Sequence, residues 1–170
     1  MHDVLNEAAN GKRIPGWVLP DVHPATLKRM RPDIFRIKGL RANASQLEID
    51  DAIQTKAGLT IQIIEVGYGP DTRWRETLAT KQTQHAKLKE ELMQAGWTVE
   101  EHIIIIGRAG TCYIHTLDTL TQLGLTTPQA IKLMGKLHIH TVTKLRETVI
   151  ARRRLERHPR GQPPDKLDAG

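Results

Sequence analysis

A single cysteine, Cys112, is all the thiol the chain holds. Neither an internal disulfide nor a multi-cysteine zinc site can therefore form. Aromatic residues are 4% of the composition, so aliphatic side chains must fill most of the core. Apolar runs are short as well. The longest, the isoleucines at 103–106, falls far below the ~20 residues of a membrane-spanning helix. The opening stretch MHDVLNEAANGKRIPG lacks an apolar segment flanked by basic residues, and no secretory signal is read there. A reducing compartment, nucleus or cytoplasm, is the expected location.

What is present suits one globular domain. The 170 residues can enclose one core of useful size but not two. Hydrophobic residues at 39% and charged residues at 26% are ordinary for such a domain. Lys and Arg outnumber Asp and Glu by 25 to 19, which sets the net charge at +6 and the pI near 9.7. That surplus favours a polyanionic partner, nucleic acid ahead of an anionic membrane surface.

Along the chain, residues 3–9 read as a short helix stopped by NGKRIPG, and HPATLKRM as a turn or a helical turn. RPDIFRIKGL alternates Phe35 and Ile37 with Arg36 and Lys38, the pattern of a strand with one wet side. QLEIDDAIQ fits a helical connection. LTIQIIEVGYG is β-branched and ends on Gly67 and Gly69, a second strand. Asp71 or Thr72 is placed to cap a helix running to Ala95 and closed by Gly96, with Leu78, His85, Leu88 and Leu92 along one stripe. TVEEHIIIIG reads as a strand buried on both faces. A short helix ending at Gly124 follows, then one long helix or two, with Thr127 as cap and Pro128 in the first turn. From Pro159 the composition is that of a disordered tail. The expected fold class is α/β (α+β), with helices 126–157 closing a domain of residues 1–157 and a tail at 158–170.

One residue breaks the apolar logic. Glu65 stands between Ile63, Ile64 and Val66 at the end of a strand, where a carboxylate is costly unless its charge is used. Asp33 opens the preceding strand just after a proline. If those strands pair, two carboxylates meet at one sheet edge, an arrangement tolerated mainly around a hard cation. A cation held there can activate water against a phosphodiester, and a nearby lysine can neutralise the phosphate. Each residue also has a plainer reading: Asp33 as a turn residue, Glu65 as a partner of Arg73 or Arg75, Lys81 as a solvated helix residue.

RPD, a spacer, an acidic residue in an apolar strand and the helical KQTQHAKL segment together resemble the PD-(D/E)XK nuclease superfamily. The closer resemblance is to the endonuclease-like domain that follows the reverse transcriptase in site-specific non-LTR retrotransposons. It covers residues 14–123. It implies a restriction-endonuclease-like core, a small mixed sheet flanked by helices. It further implies Mg²⁺-dependent (or Mn²⁺-dependent) nicking of target DNA to prime reverse transcription. Asp33 and Glu65 would then be metal ligands, with Asp33, Glu65 and Lys81 catalytic. The superfamily's usual lysine would sit two residues after Glu65, where this chain has Gly67; the retrotransposon version of the motif implies Lys81 in its place. DNA is the implied partner, together with RNA or a reverse-transcriptase module of the same element. Two other functions remain open: a nuclease fold that only binds nucleic acid, and a protein-interaction domain docking through its C-terminal helix.

Basic residues form two groups. Lys28, Arg29, Arg31, Arg36, Lys38 and Arg41 surround Asp33 in sequence, and Arg152, Arg153, Arg154 and Arg157 gather at the end of the last helix. Of these, Arg31, Arg36, Lys38, Arg152, Arg153 and Arg154 are the expected nucleic-acid contacts, reaching backbone phosphates. His138 and His140 are two apart and point to different sides of a helix, a poor metal pair. His85 follows Lys81 by four residues and shares its face, as a packing residue or a neighbour of the site. Cys112 and His115 lack the third member and oxyanion loop of a nucleophile site.

Overall fold

A computed structural model describes residues 11–16, 19–56 and 58–157, side chains at 155–157 excepted. The helix expected at 3–9 and the tail expected from Pro159 lie outside the described residues. Four strands form one sheet in the order β1-β2-β3-β4: β1 (Gly11–Ile14), β2 (Ile34–Lys38), β3 (Thr60–Gly69) and β4 (Thr98–Gly107). The first three run antiparallel, and β4 joins β3 in parallel. Helix α1 (Pro24–Met30) precedes β2, and α2 (Gln46–Thr55) links β2 to β3. The crossover to β4 is α3 (Trp74–Gln94), with α4 (Ile114–Gln122) and α5 (Thr127–Arg157) after it. Among the described residues the class is mixed α/β, a four-stranded mixed sheet with five helices.

Strand alternation divides the core into two layers. Phe35, Ile37, Ile61 and Ile63 pack with Ile49 and Ile53 of α2, Leu88 and Leu92 of α3, and Trp97. On the opposite face Ile34, Ile64, Val66, Ile104 and Ile106 meet Leu120 of α4 and Leu133 and Leu137 of α5. Each fully buried isoleucine contributes about 1.5–3 kcal/mol through removal from water, which is how a chain poor in aromatics holds a sheet. Helix α2 starts on a reciprocal cap: the Ser45 hydroxyl accepts from the Glu48 N–H while Glu48 reaches back to the Ser45 N–H.

The structure corrects several local expectations. GKRI, read as a stop, pairs with β2 as an edge strand. Helix α3 does not start on an Asp71 or Thr72 cap; a 3₁₀ turn, Asp71–Arg73, leads into it, and no side chain caps its first turn. Helix α5 is one helix of 31 residues. It opens one residue earlier than a Thr127 cap requires: the Thr126 N–H and hydroxyl both donate to Gln129 Oε1, at 2.8 and 2.9 Å. Beyond Thr141, residues 142–154 of α5 are all exposed.

The supposed wet side of β2 is the largest correction. Arg36 is only 2% exposed. Its guanidinium donates through Nε to Gln62 Oε1 at 2.7 Å and through Nη2 to the same oxygen. Gln62 Nε2 donates to Glu100 at 2.6 Å, and Lys38 closes the row from the other side of Glu100 at 2.8 Å. Register brings Arg36, Gln62 and Glu100 side by side across three strands. That gives Nε and Nη2 of an arginine that alternation alone would place in water a buried partner, while its Nη1 is buried without one.

Candidate active site

Pairing Ile34 with Ile64 sets Asp33 opposite Glu65 where β2 begins. Two backbone bonds lock the pair. The Asp33 N–H donates to Glu65 Oε2 at 3.1 Å, and the Val66 N–H donates to Asp33 Oδ2 at 2.8 Å. Asp33 is exposed, whereas Glu65 is 5% exposed within the sheet edge. A carboxylate that deep needs counter-charge, and α3 supplies it. Lys81 Nζ lies 2.6 Å from Glu65 Oε1. Arg73 instead faces Glu76 at 3.7 Å, so the plainer role of Arg73 as the Glu65 partner is not what the structure has.

One turn further along α3, His85 is fully buried. Its Nε2 stands 3.7 Å from Glu65 Oε2, and its Nδ1 lies 3.1 Å from Glu101 Oε1. A carboxylate only accepts, so Nδ1 is the donor to Glu101, while Nε2 faces Glu65 beyond hydrogen-bond distance and is buried without a partner. Lys89 completes the line with a 3.0 Å bond to Glu101 Oε2. Burial pushes the Glu101 carboxyl up, but His85 and Lys89 outweigh it and hold it below its ordinary range. Lys81, Glu65, His85, Glu101 and Lys89 thus form a continuous charged row between α3 and the sheet. Glu101 escaped the sequence reading because TVEEH marks neither of its two glutamates; the spacing of Lys81, His85 and Lys89 shows that they share a helical face but not which strand residue they meet.

Gly67 lies beside this row. A Cβ placed on it would meet Ile105 Cδ1 at 2.8 Å and come within 3.7 Å of Lys81 Cγ. The lysine stem from the helix packs beside the space a side chain at 67 would enter, and Ile105 is the group that would have to move.

A cavity of about 260 Å³ opens next to Asp33, lined by Arg13, Pro15, Gly16, Arg31 and Phe35 among others. Arg31 is therefore at the site, joined by Arg13, which the reading of GKRI as a loop had hidden. Arg36 is not available to a nucleic acid, because its guanidinium is buried and spent on Gln62. Lys38 ends β2 four residues after Ile34, roughly 13 Å along the strand at ~3.3 Å per residue, and is paired with Glu100. Arg152, Arg153 and Arg154 are exposed on the projecting end of α5; the Arg157 side chain lies outside the described residues.

The donor set is compatible with Mg²⁺ or Mn²⁺, which typically takes one or two carboxylates and completes its shell with water and phosphate oxygens. Asp33 is solvent-facing, and Glu65 is oriented by an N–H and an ammonium. Among the described residues no cluster of three or more His, Cys, Asp or Glu could hold a metal. Cys112 and His115 do not face each other chemically: the thiol points to the Gly110 and Met134 carbonyls and the imidazole to the Ile103 carbonyl at 3.0 Å. His138 tethers the Gly110 carbonyl at 2.9 Å, while His140 lines a separate groove with Tyr68.

Among the described residues no helix is long and apolar enough to cross a membrane. No protein-family model, curated protein or solved structure matches this chain.

Proposed function

We propose that the chain is a metal-dependent DNA endonuclease module with a PD-(D/E)XK-like core, nicking DNA within a retroelement protein whose reverse transcriptase lies elsewhere. The observation that carries the reading is the juxtaposition at one sheet edge of Asp33, Glu65 and Lys81, three residues drawn from two strands and a helix. A mixed sheet covered by helices on both faces supports it. Asp33 and Glu65 would hold a divalent cation, which when bound supplies an activated water and neutralises phosphate charge. Lys81 sits where its ammonium can pair with Glu65 and oppose charge building on the scissile phosphate. Arg13 and Arg31 flank the cavity beside Asp33 and would position the backbone. DNA is the substrate in this reading, a reverse-transcriptase module with its RNA the companion, and nucleus or cytoplasm the setting.

The test is conversion of supercoiled plasmid to nicked circle in Mg²⁺, in Mn²⁺ and in EDTA. Wild type should nick only with metal, and Asp33→Asn and Lys81→Ala should each lower the rate by ~10²-fold or more. Metal-independent or absent nicking by folded protein would sink the endonuclease reading. A binding-only role is the second reading, favoured by one specific feature: Lys81 already forms a close ion pair with Glu65, enough to account for both residues structurally. It predicts DNA binding without cleavage.

A further inference from the structure

The chain spends its few aromatics unevenly. Phe35 and Trp97 belong to the core. The other described aromatic residues, Tyr68, Trp74 and Tyr113, all stand where the parallel strands β3 and β4 end at Gly69 and Gly107. Trp74 stacks on Tyr113 with centroids 5.2 Å apart, and the Tyr113 hydroxyl donates to the Asp71 carbonyl at 3.1 Å. That pair fastens the two loops together. Tyr68 remains 46% exposed, on the other face of the sheet edge, toward α5.

Tyr68 forms one wall of a groove of about 300 Å³. Thr141, Leu145 and Thr148 of α5 make the facing wall, and Arg108, His140 and Lys144 stand around them. Leu145 is 46% exposed although it lies one turn beyond Thr141, the last residue that α5 buries against the sheet. The floor is apolar and its surroundings are cationic. Among the described residues Glu147 pairs with Lys144 at 2.8 Å on the exposed helix surface, a pair weak enough to yield to a stronger anion. The groove is close to the Asp33 edge. Burial raises the Tyr68 hydroxyl above its ordinary range, a hydrogen bond with Thr141 opposes this, and the charge of Asp33 adds to it.

We infer that this groove takes an unpaired nucleotide of the bound DNA strand, its base against Tyr68 and Leu145 and its flanking phosphates at Arg108 and Lys144. Single strands are held by such a combination, an aromatic face for the base and cations for the backbone. Duplex DNA offers phosphates but keeps its base faces stacked inside, so an apolar floor would gain nothing from it. Ligands of open sheets also gather beyond the carboxyl ends of parallel strands, which is where Tyr68 and Arg108 stand. The inference rests on the nucleic-acid reading above for the identity of the polymer, and adds its strandedness and the residues that sense it.

The experiment measures anisotropy of a labelled 12-nucleotide DNA, single-stranded and as a blunt duplex, in EDTA across a salt series. Cleavage is thereby removed from the readout. Tyr68→Leu should weaken the single strand by ~10-fold or more, the usual loss for one base stack, and change duplex affinity less than twofold. Arg108→Gln with Lys144→Gln should lower the single-strand salt slope by ~1.4, two contacts at about 0.7 each. Leu145→Glu, on an exposed helix face, repeats the test without touching the core and should also discriminate against the single strand. The inference is overturned if wild type fails to bind the single strand, if Leu145→Glu and Tyr68→Leu bind it as wild type does, or if both variants lose single strand and duplex equally. Groove-dependent binding by a protein that nicks no plasmid would retain the groove and remove the endonuclease. Nicking by a protein whose groove variants bind normally would do the reverse.

Discussion

Replacing Lys81 tests whether the charged row is an energetic unit. The Lys81 side chain is 26% exposed and that of Glu65 only 7%, so the pair falls between two known limits. Exposed pairs are worth about 0–1 kcal/mol, whereas removing one partner of a buried pair costs about 3–5 kcal/mol. Lys81→Met keeps most of the stem and removes the charge, and should cost about 1–3 kcal/mol. Glu65 would then retain only the Asp33 N–H and a histidine nitrogen at 3.7 Å. The same replacement in a Glu65→Gln background should cost less than about 0.5 kcal/mol, because no buried charge is stranded. A double-mutant cycle by urea denaturation, at pH 7 and without divalent metal, therefore expects a coupling of about 0.5–3 kcal/mol. Coupling indistinguishable from zero would mean that the 2.6 Å contact is not populated in solution, and the role given to Lys81 would go with it.

Other expectations follow from the same geometry. If Asp33 and Glu65 hold a cation, Mg²⁺ at ten times its Kd should stabilise the fold by about 1.4 kcal/mol, a rise of roughly 3–6 °C in Tm for a chain of this size; Asp33→Asn should abolish it in a thermal scan. Burial pushes the Glu100 carboxyl up, yet hydrogen bonds from Lys38, Gln62 and His102 hold it down at about 2, against an ordinary 4.5. A depressed carboxyl contributes stability that is complete above its unfolded value and is lost as pH falls, so wild type should weaken between about 4.5 and 2. Glu100→Gln should flatten that part of a stability-versus-pH curve. Arg152, Arg153 and Arg154 changed together to Ala should weaken all DNA sequences alike and lower the duplex salt slope by up to ~2.7. An unchanged slope would assign those arginines to solubility.

Much of the fold was legible because its strongest signals are local. The β-branched runs in β3 and β4, and the helical spacing of His85, Leu88 and Leu92, are properties of contiguous residues, and the buried positions follow them. What escaped depends on pairing. GKRI is four residues followed directly by a proline, too short to show alternation, and becomes a strand only because β2 offers an edge. Arg36 and Lys38 look alike in sequence, yet one is sealed and the other exposed, since only Arg36 is aligned with Gln62 and Glu100. In the site, Asp33 and Glu65 could be anticipated from their positions at strand ends. The His85–Glu101 contact could not, because it joins a helix to a strand sixteen residues away that gives no sign of its partner.

Gly67 offers the sharpest trial of how the site is built. Two routes could bring an ammonium to Glu65: along the strand from position 67, or down from the helix at position 81. The chain has a glycine at the first and a lysine at the second. A Cβ at 67 would touch Lys81 Cγ at an ordinary van der Waals distance of 3.7 Å, so the two routes run side by side to one carboxylate and a protein needs only one of them. Exchanging them, Gly67→Lys with Lys81→Ala, vacates the helix route as it fills the strand route. Ile105 Cδ1, 2.8 Å from the new Cβ, is the far end of a flexible side chain and can give way at a cost of about 1–3 kcal/mol, the usual penalty for overpacking. The exchanged protein should recover at least tenfold of the nicking rate that Lys81→Ala alone loses, measured at a temperature where circular dichroism shows both to be folded. Gly67→Lys with Lys81 retained should be less stable than wild type, because its Cβ meets Ile105 and a second ammonium is brought toward the first. If the exchanged protein folds and binds DNA but nicks no faster than Lys81→Ala, the ammonium is not interchangeable between the routes, and Lys81 serves the helix rather than the phosphate.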